Sequence, residues 1–192
     1  MAFLLAAVMA CPLQAQLITR QVDLPYLAQR ADVIVQGKVI SVKNENLPRF
    51  RNFPIVEVTL EVENMLRGPS KQRTYTFREA VFGFKTNRGK QDYQVGKRLI
   101  LFLHAPSALG LSSPIGIGQG RFQIGRNAGS GETISNETGN SGLFNAVGKK
   151  TAKEGKKLTP EQLRVASTKR GPVQLNDFIS LTKNLMTLPR IR

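Results

Sequence analysis

A chain of 192 residues, 41% of them apolar, has the length for one domain with terminal extensions and enough apolar side chains for a core of its own. Twenty-eight Lys and Arg against 13 Asp and Glu give a formal charge of +15, which excludes an acidic or neutral surface and points to anionic company: nucleic acid, anionic lipid, or envelope polymer. A single cysteine and a single histidine exclude a disulfide scaffold and the usual zinc site, and any Ser-His-Asp triad would have to use His104.

Residues 1–15 read as an export signal. Met1 to Ala10 is an uncharged apolar run, too short to span a bilayer but of the right length for the core of a secretory signal, and Ala15 is a small residue suited to a cut. A buried N-terminal helix is the other reading, since the usual basic start is missing. Val8-Met9-Ala10-Cys11 resembles the lipobox of bacterial lipoproteins, so acylation of Cys11, a lipid anchor, is the alternative to cleavage after Ala15. No later segment approaches the ~20 apolar residues of a membrane span.

From Asp23 to Ala31 an N-cap candidate, Pro25 near the first helical position and apolar residues at 24, 27, 28 and 31 predict a short amphipathic helix. Val33 to Val42 is a strand, bent at Gly37 so that it can serve two sheets. Asn44 to Pro54 is a loop with two prolines and a basic, aromatic character. In the strand Ile55 to Leu66, Val56, Val58, Leu60 and Val62 face the core, while Glu57, Thr59, Glu61 and Glu63 form a solvated face rather than an acid or metal site. A turn over Arg67 to Ser70 leads to a third strand, Gln72 to Arg78, with Tyr75 and Phe77 inward.

The stretch Glu79 to Gly96 mixes Phe82, Phe84 and Tyr93 with Lys85, Arg88 and Lys90. Interleaved aromatics and cations suit a single-stranded nucleic acid, but the same aromatics also suit a lid tucked under the rim of the fold, which is the preferred reading. Arg98 to His104 is a central strand covered on both faces, with His104 structural at its end. Ile115 to Ile124 is a closing strand whose inward parity flips across Gly118 and Gly120, as at a bulge. Gly116-Ile117-Gly118-Gln119-Gly120 lacks the strand-turn-helix context of a nucleotide loop, and nothing else calls for a cofactor or metal.

Five glycines between Gly125 and Gly142 predict a flexible excursion, with a glycosylation sequon at Asn136-Glu137-Thr138 that matters only in a eukaryotic secretory pathway. Lys149 to Arg170 carries eight cations against Glu154 and Glu161, a local +6. Thr159-Pro160-Glu161-Gln162 is a capped helix start, and Leu175 to Met186 is a final helix with Phe178, Leu181 and Leu185 at helical spacing.

The pattern Asp23-Leu24, Leu27, Ala31-Asp32-Val33-Ile34-Val35, Gly37, Val39, then Val56, Val58, Leu60, Val62, Leu66-Arg67-Gly68, then Val95-Gly96, Leu101-Phe102-Leu103 and Gly118-Gln119-Gly120, Phe122, Ile124 resembles a group of bacterial exported proteins. Their OB-type barrel is similar to tissue inhibitors of metalloproteinases and netrin C-terminal modules. The resemblance covers about residues 23 to 124. It implies a mainly β fold: a five-stranded OB-type barrel over residues 16–148, with a short N-terminal helix and a basic helical extension over 149–192. The animal inhibitors act through a disulfide-tethered N-terminal cysteine, which this chain lacks, so that mechanism does not carry over.

The expectation is therefore an exported, periplasmic or secreted, non-enzymatic binding module for a protein or an anionic polymer. Its contacts would come from Arg78, Phe82, Phe84, Lys85, Arg88 and Lys90 in one loop and Lys149, Lys150, Lys153, Lys156 and Lys157 in the tail. A solvated face is the competing reading of that tail. The alternatives in function are a protease partner or inhibitor using edge loops, and, if residues 1–15 are not a signal, an OB-type binder of single-stranded nucleic acid.

Overall fold

The computed structural model describes residues 21–48, 50, 52–81, 93–127, 129 and 131–189. The expected signal and Cys11, and the loop residues Phe82, Phe84, Lys85, Arg88 and Lys90, lie outside them.

Helix α1 (Leu24–Arg30) starts where expected: the Asp23 side chain accepts a hydrogen bond from the Tyr26 amide at 2.7 Å, and Pro25 occupies the first turn, where its missing N–H is no loss. The chain then forms β1 (Val33–Asn46), β2 (Pro54–Arg67), β3 (Thr74–Ala80), β4 (Arg98–Leu103), β5 (Arg121–Asn127), β6 (Gly131–Asn136), α2 (Val147–Lys153), α3 (Pro160–Ala166), β7 (Val173–Gln174) and α4 (Leu175–Met186).

All seven strands join one antiparallel sheet in the order β3-β2-β1-β4-β5-β6-β7. Among the described residues β3 and β7 are its edges and do not pair with each other, so the sheet is open. The expectation of five strands closed into a barrel is corrected by two local features. Ile115 to Gly120 is a tight turn rather than the first half of a bulged strand: Gly116, Ile117 and Gly118 all have positive φ (71°, 54° and 94°), and the Gly120 amide donates to the Ile115 carbonyl at 2.8 Å. The stretch expected to be a flexible excursion supplies β6, which pairs with β5 from Phe122–Asn136 to Asn127–Gly131 and extends the sheet.

Gly37, expected to bend β1 so that it serves two sheets, lies instead within one sheet, at a shift of register. β1 pairs with β2 along one edge and β4 along the other, and its register with β2 shifts between Gln36 and Gly37. A Cβ at 37 would lie 2.5 Å from the Glu61 carbonyl oxygen, a backbone atom that cannot swing aside. Gly37→Ala is therefore expected to destabilise the fold by about 1–3 kcal/mol. Gly125→Ala, where an added Cβ meets nothing within 4 Å, should stay within about 0.5 kcal/mol. Urea unfolding of the two variants checks the contrast.

The central strand is covered on both faces, as its unbroken apolar run predicts. On one side Ile100 and Phe102 join Ile34, Phe122 and Ile134 beneath α1 and the C-terminal helices, where Phe178, Leu181 and Leu185 are fully buried. On the other, Leu99, Leu101 and Leu103 pack with Val33, Val35, Val39, Val56, Val58, Leu60, Tyr75, Phe77 and Tyr93. The loop after β4 reaches across to the β3 edge, where the Ser112 amide donates to the Arg78 carbonyl at 2.7 Å.

Two clasps fix the helices. Arg67, expected in a turn, ends β2, and its guanidinium donates to the carbonyls of Ala28 (2.6 Å) and Ala31 (2.7 Å) at the C-terminus of α1 and to that of Met186 (3.5 Å) at the end of α4. A cation there satisfies carbonyls that the helices leave open. Thr159 and Gln162 form the expected reciprocal cap of α3. Among the described residues no helix is long and apolar enough to cross a membrane.

Candidate binding surface

The solvent-facing glutamates of β2 are cross-strand anchors. Glu57 accepts from Arg78 of β3 at 2.8 Å and pairs with Lys43 of β1 at 3.5 Å, and the Arg78 hydrogen bond holds its carboxyl below the usual carboxylate range. Glu63 accepts from Arg98 of β4 at 2.6 and 2.7 Å and from Gln36 at 2.8 Å, so its carboxyl is likewise lowered, with the Arg98 hydrogen bond as the main cause. Arg98 also contacts Glu132 of β6, so one guanidinium ties three strands together. Arg78, expected as a ligand contact, is thus engaged with Glu57 on the sheet.

The tail lysines divide in two. Lys150 pairs with Asp23, the α1 cap, at 3.3 Å and is structural. Lys149, Lys153, Lys156 and Lys157 are exposed and form no ion pair among the described residues. The segment that carries them is held firmly. Val147 and Thr151 are buried on the inner side of α2, and the Thr151 hydroxyl donates to the Val147 carbonyl at 2.9 Å. Beyond the helix Gly155 takes φ of 65°, the Lys156 amide returns to the Thr151 carbonyl at 2.9 Å, and Asn184 of α4 donates to the Lys157 carbonyl at 3.3 Å. The structure therefore presents four ammonium groups from one short, anchored segment.

Sequence reasoning missed a polar cluster on the face opposite the helices. The Tyr93 hydroxyl donates to Glu79 at 2.6 Å, and the buried Arg121 guanidinium lies 5.0 Å from the Tyr93 ring centroid and 4.0 Å from Glu137. Burial, reinforced by Glu79, pushes the Tyr93 hydroxyl well above its ordinary value. Tyr93 is only 2% exposed, so of the three aromatics in this stretch the one described is a core residue. The four groups come from β3, two turns and β5, a distance in sequence that no local pattern signals.

The sequon is closed to modification as folded. Asn136 is buried, its amide nitrogen donates to the Gln119 carbonyl at 3.4 Å, and its oxygen accepts from Thr138 and from the Asn140 amide. His104 has an exposed side chain at the end of β4, and its backbone bonds Ser112 and Ser113. No group of three or more His, Cys, Asp or Glu with metal-ligating spacing occurs among the described residues. No protein-family model matches this chain, and no curated protein matches it.

Proposed function

We propose that the protein is an exported, non-enzymatic binding module that holds an anionic polymer of the envelope or extracellular space on the surface formed by Lys149, Lys153, Lys156 and Lys157. The observation that carries this reading is that, among the described residues, these four ammonium groups have no acidic partner on a segment pinned to the core, whereas Lys150 beside them is neutralised by Asp23. Lysine heads are compact charges without a planar fork, so they suit a chain of repeated anions better than one geometrically defined group. Binding of this kind releases counterions and weakens steeply with salt. Support for kinship with OB-type modules is the order β3-β2-β1-β4-β5 about a long β1 that pairs on both edges and shifts register along its length.

The test compares two charge reversals of equal size. Lys149, Lys153 and Lys157→Glu should elute from an immobilised heparin or polyphosphate column at much lower salt than the parent chain. Lys71, Arg73 and Lys97→Glu, exposed cations elsewhere, should shift elution far less. Equal shifts would mean that only net charge is read, and the proposed surface would be wrong. Retention of a discrete protein partner in about 0.5 M salt, where exposed charge contacts are largely screened, would favour a protein-binding function instead.

A further inference from the structure

The hairpin that joins β1 and β2 ends in Leu47-Pro48-Arg49-Phe50-Arg51-Asn52-Phe53-Pro54, without a glycine or an acidic residue. A free hairpin tip ordinarily uses small polar turn residues, because they accept the turn's dihedrals and remain hydrated. Here the apex is a phenylalanine that is 48% exposed, with Pro48 and Pro54 also exposed around it. The backbone holds it in place through two successive turns that share Phe50. The Phe50 amide donates to the Leu47 carbonyl at 2.8 Å, the Phe53 amide donates to the Phe50 carbonyl at 3.1 Å, and the Leu47 amide closes the loop on the Phe53 carbonyl at 2.9 Å. Leu47 is buried, and the Phe53 ring lies 6.4 Å from that of Phe50 at a tilt of 54°. The ring is therefore presented on a preformed support, and ordering it on contact carries little entropic cost.

We infer that this tip docks the protein on an anionic phospholipid surface, with Phe50 entering the boundary between headgroups and acyl chains. An aromatic ring is favoured at that depth, and the two arginines next to it in the sequence match the negative headgroups. The exposed prolines weigh against a single stacked nucleobase as the occupant. An apolar layer accepts the ring together with both prolines, whereas a base covers one ring. This inference is independent of the lysine surface.

The chain contains no tryptophan, so Phe50→Trp places one fluorophore at the apex of the full chain. Its emission should shift to the blue with phosphatidylglycerol vesicles and stay unchanged with phosphatidylcholine vesicles. Phe50→Ala, with unfolding otherwise unchanged, should weaken partition onto phosphatidylglycerol by about tenfold, as loss of one buried aromatic side chain implies. The indole reports only its own surroundings, so attachment through the apolar first residues or through the lysines does not imitate the signal. Sedimentation of the chain with phosphatidylglycerol while the emission stays fixed would overturn the inference. So would an equal shift in phosphatidylcholine, or quenching by oligothymidylate without any vesicle response, which would assign the ring to base stacking.

Discussion

Phe178→Ala is expected to lower the unfolding free energy by about 3–5 kcal/mol, the range for removing a fully buried aromatic side chain that leaves a cavity. Phe178 is 0% exposed, and its ring lies 5.0 Å from that of Phe122 and 6.4 Å from that of Phe102, so the three rings form the contact between α4 and the centre of the sheet. Truncation removes one ring from under both strands, and Leu181 and Leu185, already buried on the same helix, have no freedom to fill the space. A domain of ordinary stability holds only about 5–15 kcal/mol, so the variant should sit close to the limit of folding at 37 °C. Leu163→Ala on α3, at a side chain 53% exposed, should change stability by less than about 1 kcal/mol. Urea unfolding followed by circular dichroism measures both. A Phe178 effect as small as that of Leu163 would mean that the C-terminal helices are an appendage and that the core is complete without them.

The parts of this fold that the sequence made legible are those whose signals are local. The alternation in β2 identified Val56, Val58 and Leu60 as buried, and the Thr159-to-Gln162 cap and the spacing of Phe178, Leu181 and Leu185 located α3 and α4. Glycine was the ambiguous signal. At 37 it marks a shift of register within one sheet, not a bend between two, and at 116 and 118 it serves a turn in which even Ile117 is left-handed, which a period-two pattern cannot distinguish from a bulge. Five glycines between 125 and 142 suggested a segment without packing, yet Thr133, Ile134, Asn136 and Asn140 in that segment are buried. The lysine run was legible as charge, but the pairing of Lys150 that sets it apart from its four exposed neighbours was not, because Asp23 lies 127 residues from Lys150. The Glu79-Tyr93-Arg121 contacts were hidden for the same reason.

The strongest test of how the glycine-rich segment is ordered lies at Asn140. Its side chain is 0% exposed, its amide nitrogen donates to the carbonyls of Ile134 and Gly171, each at 3.0 Å, and its oxygen accepts from the Asn136 amide at 3.0 Å. Its own φ is 58°, a left-handed conformation that asparagine tolerates better than most residues. From the turn after β6, one side chain thus bonds β6 twice and the approach to β7 once. Alanine removes all three bonds, leaves the buried groups unsatisfied and adds left-handed strain, so Asn140→Ala is expected to cost about 3–5 kcal/mol. Glycine accepts the dihedral but supplies no bonds, so Asn140→Gly should be less damaging than alanine by about 1 kcal/mol, and that difference isolates the backbone contribution. Asn140→Asp keeps the shape but points a carboxylate at two carbonyl oxygens that need donors, and it should be at least as damaging as alanine at neutral pH. Protonation restores one donor, so the deficit of the aspartate variant relative to the parent should narrow as the pH falls. Thermal and urea unfolding of the three variants, with the aspartate variant repeated at acid pH, decide the matter. An alanine variant within about 1 kcal/mol of the parent would show that β6 is held by its pairing with β5 and β7, and that the Asn140 bonds follow from the fold rather than specify it.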